Sequence, residues 1–177
     1  MPSEDTELRE FLSHRRNALL RSAYLMCGDV HAAEDLVQNT LIKVVMAHRG
    51  RRRIDHIDAY ARRVLVTTFI ASRKRLWNRE EPHDSLPDVP VQGSDTDLGL
   101  AVRGALQRLA PRQRAVLVMR FFEDQSVQAT AELLGVSEGT IKSQTARGLA
   151  VLREALGGAI GTLVEDEEAS KMREVIR

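Results

Sequence analysis

Apolar residues recur at helical spacing in three stretches of the first half of the chain. The first covers residues 7–27 and is followed by Gly28, a residue favoured just past a helix C-terminus. The second covers residues 31–48 and the third residues 57–78. Only short connections separate these stretches, so we predict that this half folds as a small three-helix bundle.

The second half of the chain shows four further helical stretches. Pro111 stands at the start of one of them, where its missing N–H costs nothing, and Gly157 follows the last. The four helices are predicted at residues 98–109, 111–122, 126–134 and 137–156. The predicted fold is therefore all-α, with two small helical domains.

Between the two halves lies a segment of different composition. Residues 80–98 contain three of the five prolines and six acidic residues, and they show no periodicity. Proline removes a backbone donor and disfavours helix before it, so this segment is predicted to be a linker. The predicted organisation is a domain at residues 7–79, an acidic linker at 80–97, a domain at 98–157 and a short acidic tail at 158–177.

The charge distribution is more informative than the net charge of +1. Residues 1–79 carry a net charge of +6, residues 80–98 a net charge of −6, and residues 99–157 a net charge of +3. Two basic domains joined by an acidic segment are not what a random solvated surface gives, although scattered surface charge is the alternative interpretation. Aromatic residues make up only 4% of the chain, which is consistent with a helical core of Leu, Val, Ile and Ala.

Several classes of protein are disfavoured by what the sequence lacks. The apolar runs are too short to span a bilayer, and the N-terminus has no apolar signal-peptide core, so a cytoplasmic location is expected. The one cysteine, Cys27, cannot form an internal disulfide, and the five histidines are scattered. We find neither a catalytic constellation nor a Gly-rich phosphate loop. We therefore expect no enzymatic activity, no metal and no cofactor.

Residues 127–146 have the spacing of a helix-turn-helix. Ala131 is small enough for two helices to cross closely, Gly135 allows a positive φ at the turn, and Ser137 is a good N-cap. Ile141 would fill the angle between the helices. An ordinary αα-hairpin is the alternative interpretation. The residues predicted to face a DNA major groove are Ser137, Glu138, Gly139, Thr140, Lys142, Ser143 and Arg147.

The third predicted helix has a second candidate nucleic-acid surface. At 100° per residue, one side collects Tyr60, Ala61, Val64, Thr68 and Ala71. Apolar residues between arginines on the other side suit phosphate contacts beside unstacked bases, although a solvated charged face is the alternative. With the preceding basic run, this surface comprises Arg52, Arg53, Arg62, Arg63, Val66, Thr67, Ile70, Arg73 and Lys74.

Three segments resemble the extracytoplasmic-function (group 4) sigma factors of bacterial RNA polymerase, within the sigma-70 superfamily. They are AEDLVQNTLIKVV in the second helix, DAYARRVLVTTFIASRKR in the third, and LAPRQRAVLVMRFFEDQSVQATAELLGVSEGTIKSQTARGLAVLR in the second domain. The similarity extends over residues 7–156. The excess of arginine over lysine, 22 to 4, resembles the actinobacterial members.

The resemblance implies a function and a set of partners. The first domain corresponds to region 2, which binds core polymerase and recognises and melts the −10 element, and the second to region 4, which reads the −35 element. The implied protein partners are the β′ clamp helices and the β flap of RNA polymerase core, with an anti-sigma factor as a candidate regulator. Promoter DNA is the implied nucleic-acid partner, and no membrane is involved. The residues that match the clamp-helix contact positions are Asp35, Gln38, Asn39 and Ile42.

Two other functions are compatible with parts of the sequence. An autonomous, dimeric helix-turn-helix regulator would use the second domain, but it would leave the AEDLVQNTL surface and the acidic linker unused. A protein that binds an acidic protein partner would use only the basic charge. Copurification with core polymerase separates the sigma-factor hypothesis from both.

Overall fold

The computed structural model describes residues 4–50, 54–77 and 97–157. The chain divides into two compact units, Met1–His83 and Asp84–Arg177. The regular elements in the described ranges are all helical, which confirms the predicted all-α class. Most of the predicted linker and the whole predicted tail lie outside those ranges, so the domain boundaries stay a prediction.

The N-terminal unit contains three helices, α1 (Glu4–Cys27), α2 (Val30–Arg49) and α3 (Ile57–Trp77). Each packs against the other two. Gly28 separates α1 from α2 with a φ of 74°, which is the left-handed conformation that glycine adopts at little cost. Asp29 then caps α2, because its side chain accepts a hydrogen bond of 2.8 Å from the backbone N–H three residues later.

The buried face of α3 differs from the predicted one. Both α1 and α2 cover α3, so the buried arc is wide enough to include Val66, whose exposed fraction is 0%. The prediction that Val66 lies on the outer surface with the arginines is therefore wrong. The fully buried side chains of α3 are Ala61, Leu65, Val66 and Phe69.

The C-terminal unit is built around its last helix. Its elements are α4 (Asp97–Gln107), α5 (Pro111–Leu117), a π-helical turn (Val118–Phe122), α6 (Val127–Leu134) and α7 (Glu138–Leu156). Helix α7 packs against α4, α5 and α6, and the side chains that it buries include Ile141, Leu149, Leu152 and Leu156. The apolar side of α7 therefore faces the core of this unit.

A buried arginine joins α4 to α5. Arg114 is only 6% exposed. Its Nη1 donates to Gln107 Oε1 at 2.5 Å, and its Nη2 donates to the backbone carbonyls of Gln107 and Leu109 at 3.0 Å each. Because the last carbonyls of a helix have no partner within it, the guanidinium caps the C-terminal end of α4.

Two helical glycines in this unit differ in what surrounds them. A Cβ on Gly148 of α7 would stand 2.9 Å from Leu117 Cδ1 and 3.1 Å from its Cγ. Leu117 is fully buried, so it has little room to move. A Cβ on Gly104 of α4 would meet no atom within 4 Å. Gly148 therefore permits the close approach of α5 and α7, whereas Gly104 has no such role.

We expect opposite stability changes when these glycines are replaced by alanine. Gly148→Ala should lower the free energy of unfolding by about 1–3 kcal/mol, the usual cost of overpacking a core. Gly104→Ala should raise it by about 0.5–1 kcal/mol, because alanine restricts the unfolded chain and favours helix. Denaturant unfolding of the full chain checks both variants. Equal changes in the two would contradict the packing role of Gly148.

Candidate nucleic-acid interface

The helix-turn-helix predicted from the sequence is formed by α6 and α7. Gly135 joins the two helices with φ 65° and ψ 38°, the left-handed conformation that its position predicted. Ala131 of α6 and Ile141 of α7 are buried together with Val116. Ser137 is the N-cap of α7, as predicted. Its side chain accepts a hydrogen bond of 3.1 Å from a backbone N–H in the first turn.

The side of α7 that faces away from the core carries the predicted DNA-contacting residues. Six of them are exposed and Thr140 is half-buried. Ser137 Oγ lies 2.9 Å from Thr140 Oγ1, and Ser143 Oγ donates to the carbonyl of Thr140 at 3.0 Å. These hydroxyls are thus partly engaged within the helix itself. The exposed six are Ser137, Glu138, Gly139, Lys142, Ser143 and Arg147.

Three charged side chains on this surface differ in what they can recognise. Glu138 stands in the first turn of α7, where a carboxylate can accept a hydrogen bond from cytosine N4 in a major groove. Lys142 and Arg147 are exposed donors further along the helix. A long cationic side chain there can bind guanine or a flanking phosphate.

The outer surface of α3 is narrower than the sequence predicted. Arg63, Thr67 and Lys74 are exposed, and Ile70 is half-buried. Thr67 Oγ1 donates to the carbonyl of Arg63 at 2.7 Å, which leaves the oxygen lone pairs of this hydroxyl available as acceptors. These four residues follow one another at the spacing of adjacent helical turns, so they form one continuous stripe.

Two arginines predicted on the same surface make contacts inside the unit. Arg62 Nη2 lies 2.6 Å from Asp58 Oδ2. The guanidinium of Arg73 lies 5.7 Å from the centre of the Phe69 ring, and its Nη2 donates to the carbonyl of Cys27 at 2.9 Å. Both residues are half-buried. Asp58 also pairs with Arg15 of α1, and Arg73 contacts the last residue of α1, so both arginines help to hold α3 against α1. Two further predicted arginines, Arg52 and Arg53, lie outside the described residues.

One side of α2 is open to solvent along its whole length. Asp35, Gln38 and Asn39 are exposed, and Ile42 is 57% exposed. The structure thus brings the four predicted docking residues onto one helical face. Met46, one turn further on and 69% exposed, was not among the predicted docking residues. Its spacing of four residues from Ile42 could have revealed it.

The described part of the chain offers little for other chemistry. Its residues include no group of three His, Cys, Asp or Glu side chains placed to hold a metal ion. None of its helices combines the length and apolar character needed to cross a bilayer.

Comparison with known proteins identifies the family of this chain. A family model of sigma-70 region 2 matches residues 11–79, and one of sigma-70 region 4 matches residues 99–152. The RNA polymerase sigma-E factor of Streptomyces avermitilis is 39% identical over 160 residues, which cover 86% of this chain and 87% of that protein. The chain belongs to the sigma-70 family of RNA polymerase sigma factors.

A further relative supports the same assignment, and a solved structure shares the fold. The ECF RNA polymerase sigma factor SigM of Mycobacterium tuberculosis is 33% identical over 153 residues, covering 83% of this chain and 75% of that protein. The fold matches the sigma factor RpoE of Bartonella quintana, solved in complex with the anti-sigma factor NepR. That match has a TM-score of 0.72 and 24% identity, and it covers 87% of this chain and 99% of that one.

The predicted function is thereby confirmed at the level of the family. The sigma factor directs promoter-specific transcription initiation by binding core RNA polymerase and promoter DNA. The autonomous dimeric regulator is disfavoured, because the region 2 match accounts for the domain that such a regulator would leave unused.

Proposed function

We propose a division of labour between the three exposed surfaces of this sigma factor. In this proposal α2 docks on the β′ clamp helices of core polymerase, α3 recognises and opens the −10 element, and α7 reads the −35 element. The observation that carries it is the helix-turn-helix in which α7 turns a continuous polar and charged face outward from a packed core. A face of this kind is what a recognition helix needs in order to enter a major groove.

We propose that the exposed stripe of α3 contacts the −10 element. Arg63 and Lys74 would bind phosphates near its two ends, while Thr67 and Ile70 would meet unstacked bases between them. The half-buried Arg62 and Arg73 would mainly hold the helix in position, because each is engaged by partners within the unit.

The remaining partners follow from the same assignment. We infer that the acidic segment at residues 80–97 threads through the polymerase interior, that the C-terminal unit also meets the β flap, and that the protein acts in the cytoplasm without catalysing a reaction. The anti-sigma factor bound to the Bartonella neighbour makes a protein of that class a candidate regulator of this chain.

The experiment that tests this proposal uses the full chain and core RNA polymerase. Together they should elute as one complex in gel filtration and should transcribe selectively from a subset of a random promoter library. Transcripts whose promoters share no −35 or −10 sequence would overturn the proposed division of labour, even if the complex forms.

Within α7, we expect base reading and phosphate anchoring to be separable. Glu138→Ala should change which −35 sequences are selected from a library, because a good base contact contributes about 1–3 kcal/mol of discrimination against the wrong base. Arg147→Ala should weaken all promoters about equally and reduce the slope of log affinity against log salt by about one. The control is Glu154→Ala, the same change at an exposed position about 24 Å further along α7. If Arg147→Ala reshuffles sequence preference and Glu138→Ala does not, the two roles are reversed.

A further inference from the structure

The described residues expose three large hydrophobic side chains, and two of them are neighbours on α2. Ile42 is 57% exposed and Met46 is 69% exposed, whereas Leu100 stands in the other unit. A spacing of four residues places the side chains of Ile42 and Met46 side by side on one helical face, about 6 Å apart. We refer to Ile42 and Met46 as the apolar ridge. Exposing two adjacent large apolar groups is unfavourable in water, so a ridge of this kind indicates a binding surface.

The apolar ridge continues the polar docking residues along the same helix. Asp35, Gln38 and Asn39 come first, and the ridge follows on the same face towards the C-terminus of α2. From Asp35 to Met46 the face is about 16 Å long. Interfaces typically combine an apolar centre with polar contacts at its edge. One partner that covers this face of α2 would therefore contact both the polar residues and the apolar ridge.

We propose that the apolar ridge is the energetic anchor of the contact with core RNA polymerase, and that Met46 is a docking residue. The inference rests on the proposed docking role of α2. The partner that would cover the apolar ridge is the same one, the β′ clamp helices of core polymerase. Binding energy in an interface is concentrated in a few well-packed side chains that lose their contact with water, whereas ion pairs that stay exposed contribute little. Methionine suits this position, since its unbranched thioether adapts to the shape of a partner.

Oxidation of methionine provides a direct test of whether the ridge is covered. Hydrogen peroxide transfers one oxygen atom to the thioether sulfur and leaves as water, at a rate that follows exposure. Met26 and Met119 are fully buried, so they serve as internal controls in the same sample. In the free full chain, mass spectrometry should find rapid oxidation of Met46 and slow oxidation of these two. In the complex with core polymerase, Met46 should be protected. Equal oxidation rates of Met46 in the free and bound chain would overturn the proposal.

Variants at Met46 test the energetic claim. Met46→Gln keeps the length of the side chain but makes it polar, and it should weaken the affinity for core polymerase by about tenfold. Met46→Leu is the matched control, because it keeps the apolar area and should bind nearly as the wild type does. Met46 faces solvent, so the unfolding curves of the two variants and of the wild type should coincide when the chains are free. Unchanged affinity of Met46→Gln would contradict an anchoring role.

Two further outcomes separate this inference from the proposed function. If the wild-type chain does not bind core polymerase, the docking role of α2 itself is wrong. If the wild type binds and Met46 stays unprotected, only the ridge assignment fails. Sedimentation of the free chain as a dimer that Met46→Gln disperses would assign the ridge to a second copy of the chain and would likewise overturn the proposal.

Discussion

Replacing Arg114 with methionine should lower the free energy of unfolding of the C-terminal unit by about 3 kcal/mol. The change keeps most of the side-chain volume but removes every donor. It leaves Gln107 Oε1 and the carbonyls of Gln107 and Leu109 without the hydrogen bonds that Arg114 now donates. The bond to the Leu109 carbonyl is buried, and the two bonds to Gln107 are half-buried. A buried acceptor left unsatisfied costs about 1–3 kcal/mol, so losing the three bonds removes a large fraction of the stability of a small domain.

The effect of Arg114→Met should be confined to the unit that contains it. Amide hydrogen exchange in the full chain measures the local stability of each unit separately. Protection from exchange should fall in α4 and α7 but not in α2. Binding to a −35 duplex should fall in parallel, because the recognition helix loses its support. Arg112→Met is the matched control, since Arg112 lies on the same helix and is exposed. If both variants keep wild-type protection, Arg114 does not hold α4 against α5.

The second large effect concerns two adjacent residues of α3. Val66 is fully buried and Thr67 is exposed, although both were predicted to face the −10 DNA. Val66→Asp places an unpaired charge in the core, and we expect it to cost more than about 4 kcal/mol and to unfold the N-terminal unit. Thr67→Asp places the same charge in solvent. It should leave the fold intact and weaken −10 binding, because the carboxylate repels the phosphate backbone.

These two variants are best compared by circular dichroism and by binding to a pre-melted promoter as holoenzymes. Thr67→Asp should retain the helical signal of the wild type while its DNA affinity falls. Val66→Asp should lose part of that signal before DNA is added. A Val66→Asp chain that folds and is defective only in DNA binding would indicate that Val66 contacts DNA, and it would contradict the buried position of this residue.

The local structure of both units could be predicted from the sequence. The described helices lie close to the ranges that periodicity indicated, and the turn of the helix-turn-helix formed at Gly135 with its cap at Ser137. These features were predictable because each depends on a few neighbouring residues. A positive φ requires glycine at one position, a cap requires one side-chain oxygen, and an amphipathic helix carries its own periodic pattern. The exposed polar face of α7 was predictable for the same reason.

Only the tertiary structure decided which side chains these helices leave free. A helical wheel distinguishes polar from apolar sides, but it does not show that two helices cover α3 and bury Val66. Nor does it show that Asp58 pairs with Arg15 of α1, or that Arg114 caps another helix instead of facing solvent. Burial and pairing of this kind depend on contacts between different helices, and such contacts exist only once the helices have packed.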